Sequence, residues 1–237
     1  MFVRSLCALA LSAACAFTTS SVAAMPMVAA DTMGPDWSFD SKNFYVGGSP
    51  GYDNGEALKV NWITAEQFTP SVSGRLQTGY FAMKSLPLFD WVGPSVQVRV
   101  SIYADANGLP GQQVATSVSD VSVTFPGDPA PGQVYGFDFF GQEEIWAGRT
   151  YWLGVSAAQD EPPFAIGWYF NDEALRGPRS FTGMTWQAPG EWYPALEGVR
   201  AAYQLTVMPL SAPGGLALAA PWVLVALVGV GRWRKSA

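Results

Sequence analysis

The sequence predicts an all-β fold: a single β-sandwich or jelly-roll-like domain, with an N-terminal signal peptide before it and a C-terminal transmembrane helix after it. Three observations carry this. Apolar residues recur with a period of two, turn residues interrupt the runs at short intervals, and no long helical period occurs outside the two hydrophobic ends.

The alternation is clearest in three places. Val96, Val98, Val100 and Ile102 alternate with Gln97, Arg99 and Ser101. Tyr151, Leu153 and Val155 form a second run, and Val199, Ala201, Tyr203, Leu205 and Val207 alternate with Arg200, Ala202, Gln204 and Thr206. Successive strand side chains point to opposite faces, so one apolar and one polar face mark a half-buried strand. Turn signals separate the runs at Asp105-Ala106-Asn107-Gly108, Pro110-Gly111, Pro126-Gly127-Asp128-Pro129 and Pro189-Gly190. The pattern places nine or ten strands near 58–69, 74–84, 95–104, 112–118, 119–125, 134–141, 150–157, 164–170, 180–187 and 199–208. The organisation read from the sequence is a signal peptide over 1–24, a loop-rich segment over 25–56, the sandwich over 57–208 and a C-terminal sorting or anchor segment over 209–237. In the loop-rich segment Trp37, Phe39, Phe44 and Tyr45 are expected to pack back on the domain.

Composition narrows the function. All 19 acidic residues fall between Asp31 and Glu197, together with nine of the 13 basic ones, so the central domain carries a net charge of −10. An acidic domain without a basic cluster is a poor phosphate binder, which argues against nucleic acid. Histidine is absent, and both cysteines, Cys7 and Cys15, lie in the signal segment. A mature domain without thiol or imidazole excludes Cys and Ser-His-Asp nucleophile systems, thiolate or His zinc sites, and disulfides. Such a domain depends on its packed core.

The ends are distinctive. Arg4 precedes the apolar run Leu6–Phe17, which is too short to span a bilayer but of signal-peptide length. Small residues follow at Val22-Ala23-Ala24 and again at Val28-Ala29-Ala30; both fit a peptidase, and the preferred cut is Ala24/Met25, the one closer to the apolar run. At the other end, residues 212–231 are apolar and Arg232-Trp233-Arg234-Lys235 follows at once. Twenty helical residues match a hydrocarbon core of about 30 Å, and the basic cluster would stay on the cytoplasmic side.

Met208-Pro209-Leu210, the short apolar stretch and Arg232–Lys235 resemble the tripartite C-terminal signal of PEP-CTERM proteins; that family's Pro-Glu-Pro is missing, and Pro209 and Pro213 stand near its place. The resemblance implies recognition by an exosortase and sorting to the envelope. Gly214-Gly215 is also similar to the start of a GlyGly-CTERM signal, which implies a rhomboid-type protease instead. Within the domain, Ile102-Tyr103-Ala104-Asp105-Ala106-Asn107-Gly108-Leu109-Pro110-Gly111, with Gln67-Phe68-Thr69-Pro70 upstream and Ala147–Leu153 downstream, resembles the R-type choice-of-anchor domains of bacterial surface proteins. That resemblance implies an exported surface domain paired with an interchangeable sorting tail. It implies location, not a chemistry.

Three sets of residues could carry chemistry. The acidic pairs Glu143-Glu144, Asp160-Glu161 and Asp172-Glu173 hold adjacent carboxylates, which on a strand point to opposite faces and are poorly placed to share one substrate bond. Asp105-x-Asn107-Gly108 is similar to the opening of a calcium loop, but Thr116 stands where an EF-hand needs glutamate; a structural turn and a calcium ion held partly by carbonyls are both open. The aromatics between 146 and 193 are either core or a glycan-stacking platform, with Trp168, Trp186 and Trp192 the stacking candidates. The reading is a non-enzymatic exported surface or matrix protein, held in the membrane or released to the surface after processing. The alternative is a carbohydrate-binding module for envelope or extracellular polysaccharide.

Overall fold

The computed structural model describes residues 24–210 except 54–55, 87–94, 125–131, 141–142, 159–164, 186–187, 190 and 195. Among the described residues the chain is all-β and antiparallel. The strands are β1 (Met27–Asp31), β2 (Asp40–Asp53), β3 (Glu56–Phe68), β4 (Gly74–Leu86), β5 (Ser95–Asp105), β6 (Pro110–Thr116), β7 (Val121–Thr124), β8 (Gln133–Asp138), β9 (Glu144–Ile145), β10 (Tyr151–Ala157), β11 (Ala165–Phe170), β12 (Arg176–Thr185), β13 (Ala188–Pro189), β14 (Leu196–Val199) and β15 (Tyr203–Pro209). No described helix is long and apolar enough to cross a membrane. The predicted transmembrane stretch 212–231 and most of the signal peptide lie outside the described residues.

The hydrogen-bonded path runs β1-β15-β4-β11-β2-β3-β10-β5-β6, and its two halves face each other as antiparallel layers. The core lies between them. Leu76, Phe81 and Met83 of β4 and Tyr203, Leu205 and Val207 of β15 meet Val96, Val98, Val100 and Ile102 of β5 and Leu153 and Val155 of β10. Phe68 crosses the gap, 6.4 Å edge-on to Tyr203 and 5.7 Å from the Tyr151 ring. These side chains are the apolar phase of the alternating runs, so the period-two pattern became the inner face.

Several elements differ from expectation, beginning with β1 (Met27–Asp31), a strand in the stretch read as loop. Residues 40–53, part of the stretch read as loop, form β2, hydrogen-bonded to β11 on one side and β3 on the other. Gly, Ser, Pro and Asp read as turn by composition, yet two neighbouring ladders hold them extended, with register shifts that absorb the misfit. Trp37, Phe39, Phe44 and Tyr45 then pack on Tyr80, Tyr169 and Phe170. Beyond that stretch, β10 is buried at all seven residues, not half-buried. Its outer face carries Trp152, covered together with Ala65 and Tyr103 by Trp192. Gly154 allows this cover, since a Cβ there would stand 2.8 Å from the Tyr103 ring. Finally, the run 199–208 is broken: β14 ends at Val199 and β15 begins at Tyr203.

Candidate functional site

The first and last strands of the domain are neighbours. Met27 pairs with Val207 and Asp31 with Gln204, so the start of β1 and the end of β15, where the sequence predicts a leader and a tail to join, lie at one end of the sandwich. Ala24 and Met25 stand just outside β1, with Met25 78% exposed. Cutting there leaves the ladder whole. Cutting after Ala30 would remove most of β1, including Ala29, which is 1% exposed and accepts the Ser71 amide at 2.7 Å. At the far end Pro209 is the last residue of β15 and sits opposite Gly74. Proline has no N–H to extend a ladder, so the strand ends there. Pro209 thus closes β15 at the point where the predicted tail begins, while Pro213, Arg232, Arg234 and Lys235 lie outside the described residues.

Asn107 and Gly108 form a two-residue hairpin turn, with Asp105 at the end of β5 just before it. Asn107 and Gly108 have φ of 58° and 81°, and Ala106 and Leu109 exchange both backbone hydrogen bonds. This is the arrangement that Asn-Gly favours between strands. The Asp105 carboxylate already accepts the Trp152 indole N–H at 2.7 Å on Oδ1 and the Gly108 amide at 3.1 Å on Oδ2. Trp152 is fully buried, so this bond satisfies a donor that would otherwise be orphaned. The Asp-x-Asn-Gly pattern is accounted for by the turn and its indole partner. No cluster of three metal-ligating side chains occurs among the described residues.

Trp168 corrects the stacking expectation. It is fully buried, 5.8 Å from the Phe81 ring and 6.0 Å from Tyr203, and its indole donates to the Ala202 carbonyl at 3.1 Å. Trp168 faces inward because its strand, β11, lies between β4 and β2 and turns that face to the core, so it offers no platform. Trp186 lies outside the described residues. Trp192 is half-buried and meets Tyr103 edge-on at 5.4 Å, as a cover for the outer face of the sheet. Of the acidic pairs, Glu144 meets Arg75 at 3.4 Å, Asp172 and Glu173 sit exposed in a turn, and Asp160-Glu161 falls outside the described residues.

The period-two reading missed a buried acid–guanidinium cluster. Glu66, 2% exposed, shares the inward phase of β3 with Phe68. Its Oε2 accepts the Ala201 amide at 2.7 Å, and Arg200 Nε lies 3.2 Å from Oε1. That second contact is electrostatic: the N–H is not aimed at the oxygen, and neither atom has another partner. Arg200 also donates through Nη2 to the Gln67 carbonyl. Beside it Arg179 lies 3.9 Å over the Tyr45 ring, and the Tyr45 hydroxyl donates to the Val199 carbonyl. Gly177 and Gly198 keep the space open, since a Cβ on either would stand 2.9 Å from Arg200 Nε or 2.7 Å from the Tyr45 hydroxyl. Burial pushes the Glu66 carboxyl from 4.5 up to about 8, against the opposing pull of the Ala201 amide and Arg200. Burial also raises the Tyr45 and Tyr203 phenols. The available signal was phase: a glutamate two residues before Phe68 on one strand must face the same way.

The chain matches no protein-family model, and no curated protein matches it.

Proposed function

We propose that this chain is a non-enzymatic exported surface or matrix protein, whose β-sandwich is delivered by an N-terminal leader and sorted or held at the envelope by its C-terminal segment. The observation that carries this reading is the pairing of β1 with β15. It puts Met25 and Pro209 at one end of a single packed body, which supports a leader and a tail that join it side by side. The tripartite pattern of the tail supports sorting by an exosortase-like or rhomboid-type protease. The hairpin at Ile102–Gly111 supports kinship with choice-of-anchor surface domains, and Arg232, Arg234 and Lys235 supply the orientation by the positive-inside bias.

Replacing Arg232, Arg234 and Lys235 together with Glu is expected to abolish retention in the inner membrane and block tail processing, because the charges that fix the tail's orientation are reversed. Replacing Pro209 and Pro213 with Ala is expected to slow processing alone, since membrane affinity lies in the apolar stretch. Fractionation and mass of a tagged chain in its host read both. Unchanged fractionation of the triple Glu variant would contradict the sorting role.

The carbohydrate-binding alternative has lost Trp168 to the core and rests on Trp186 and Trp192. As a cover for Tyr103, Trp192→Ala should cost about 1–2 kcal/mol and leave elution from a polysaccharide column unchanged. Retarded elution of the parent that disappears in a folded Trp192→Ala variant would establish the glycan reading instead.

A further inference from the structure

The β15 strand ends at Pro209, and the apolar run begins three residues later at Ala212. Three residues of chain reach at most about 11 Å. The headgroup layer on each side of a bilayer is about 5–8 Å deep. β15 cannot lengthen this connection by peeling away, because β1 and β4 hold it on both sides. If the tail spans a bilayer, the reading above on which this inference rests, the end of the sandwich around Pro209 stands in or against the headgroups.

The residues at that end have the chemistry of such a layer. Gly74 lies beside Pro209 and Ile145 beyond Gly74, two strand spacings or about 10 Å away. The next residue, Trp146, is 41% exposed, with the Arg149 guanidinium 5.9 Å from its ring. The turn that holds Trp146 is built. Its amide donates to the Tyr151 hydroxyl at 3.1 Å, the Ala147 amide to Ser73 Oγ at 2.8 Å and the Arg149 amide to the Trp146 carbonyl at 3.1 Å. On the other side of β15, Met25 and Met27 are 78% and 47% exposed. The charged side chains nearby are Arg75, Arg149, Glu143 and Glu144, with Arg75 and Glu144 paired at 3.4 Å. An exposed indole beside an arginine suits the boundary between apolar tails and water.

We propose that the sandwich rests on the phospholipid surface by this end, with Trp146 and Arg149 seated in the headgroup layer. The absence of cysteine after residue 15 permits a clean test. In the full chain with Cys7 and Cys15 replaced by Ser, an environment-sensitive fluorophore is attached to Trp146→Cys or, as control, to Ser122→Cys. Ser122 is exposed on β7, opposite Gln97, eight residues along β5 from the Asp105 end. The proteins are reconstituted in phosphatidylethanolamine–phosphatidylglycerol vesicles containing headgroup spin-labelled lipid. The expected result is severalfold stronger quenching and a blue-shifted emission at the Trp146→Cys probe. Equal, water-like emission at both positions, in a chain that floats with vesicles and loses flotation when 211–237 is deleted, would overturn the docking alone. Flotation that is absent would overturn the tail reading and this inference with it.

Discussion

Replacing Trp168 with alanine is expected to lower the stability of the domain by about 3–5 kcal/mol, the range for removing a buried Trp or Phe from a packed core. Trp168 is fully buried against Phe81 and Tyr203 and donates to the Ala202 carbonyl at 3.1 Å. Truncation opens a cavity at the centre of the sandwich and leaves that carbonyl short of a partner. No disulfide within the sandwich can offset the loss, since the chain has no cysteine after residue 15. A domain typically holds only about 5–15 kcal/mol in total, so the variant should unfold at a much lower urea midpoint or fail to accumulate. The contrasting change Trp146→Ala, at a 41% exposed ring, should move the midpoint little. Equal midpoints for the two variants would mean that Trp168 is not a core residue.

The second large effect concerns pH. Glu66 titrates near 4.5 when unfolded and at about 8 when folded, so between these values the folded state holds a proton that the unfolded state has released. The linkage slope then runs downward. The contribution of Glu66 is fully present below about pH 4.5 and is lost as pH rises to about 8, at most about 1.4 kcal/mol for each pH unit. Glu66→Gln mimics the protonated acid, retains an acceptor for the Ala201 amide, and should flatten the stability profile over this window. Glu66→Ala should instead be destabilising at every pH, because it leaves the Ala201 amide and Arg200 without their partner. Urea unfolding at pH 5 and pH 8 checks both. A parent profile that rises with pH, or one that Glu66→Gln leaves unchanged, would contradict the assignment.

Much of the architecture was legible because burial on one face imposes a period of two. Val96 to Ile102 and Tyr203 to Val207 show it directly, and their phase gave the inner face. Residues 40–53 were illegible for the opposite reason. Their composition favours turns, and only the ladders of β11 and β3 make them a strand. The full burial of β10 was not legible locally, because what covers Trp152 on its outer face, Trp192, arrives from forty residues later in the chain. The Asn107-Gly108 turn was readable from local backbone preference, whereas the indole that occupies Asp105 is a tertiary fact. Arg200 was read as a solvent-facing member of an alternating strand. The break between β14 and β15 instead turns it toward Glu66, and nothing in the local pattern announces that break. Trp168 illustrates the limit of aromatic clustering as a signal. A sandwich without disulfides needs large inward side chains, so Trp in sequence marks core and platform alike.

The account rests on export through the leader and on sorting through the tail, with the sandwich intact between them. The most direct measurement is the intact mass and N-terminal sequence of the protein recovered from the envelope or medium of its host, with protease accessibility of the domain in whole cells. The account predicts a chain that starts at Met25, a domain open to external protease, and a tail either embedded in the membrane or trimmed beyond Pro209. A chain that still begins at Met1 and is recovered protected inside the cell would contradict it.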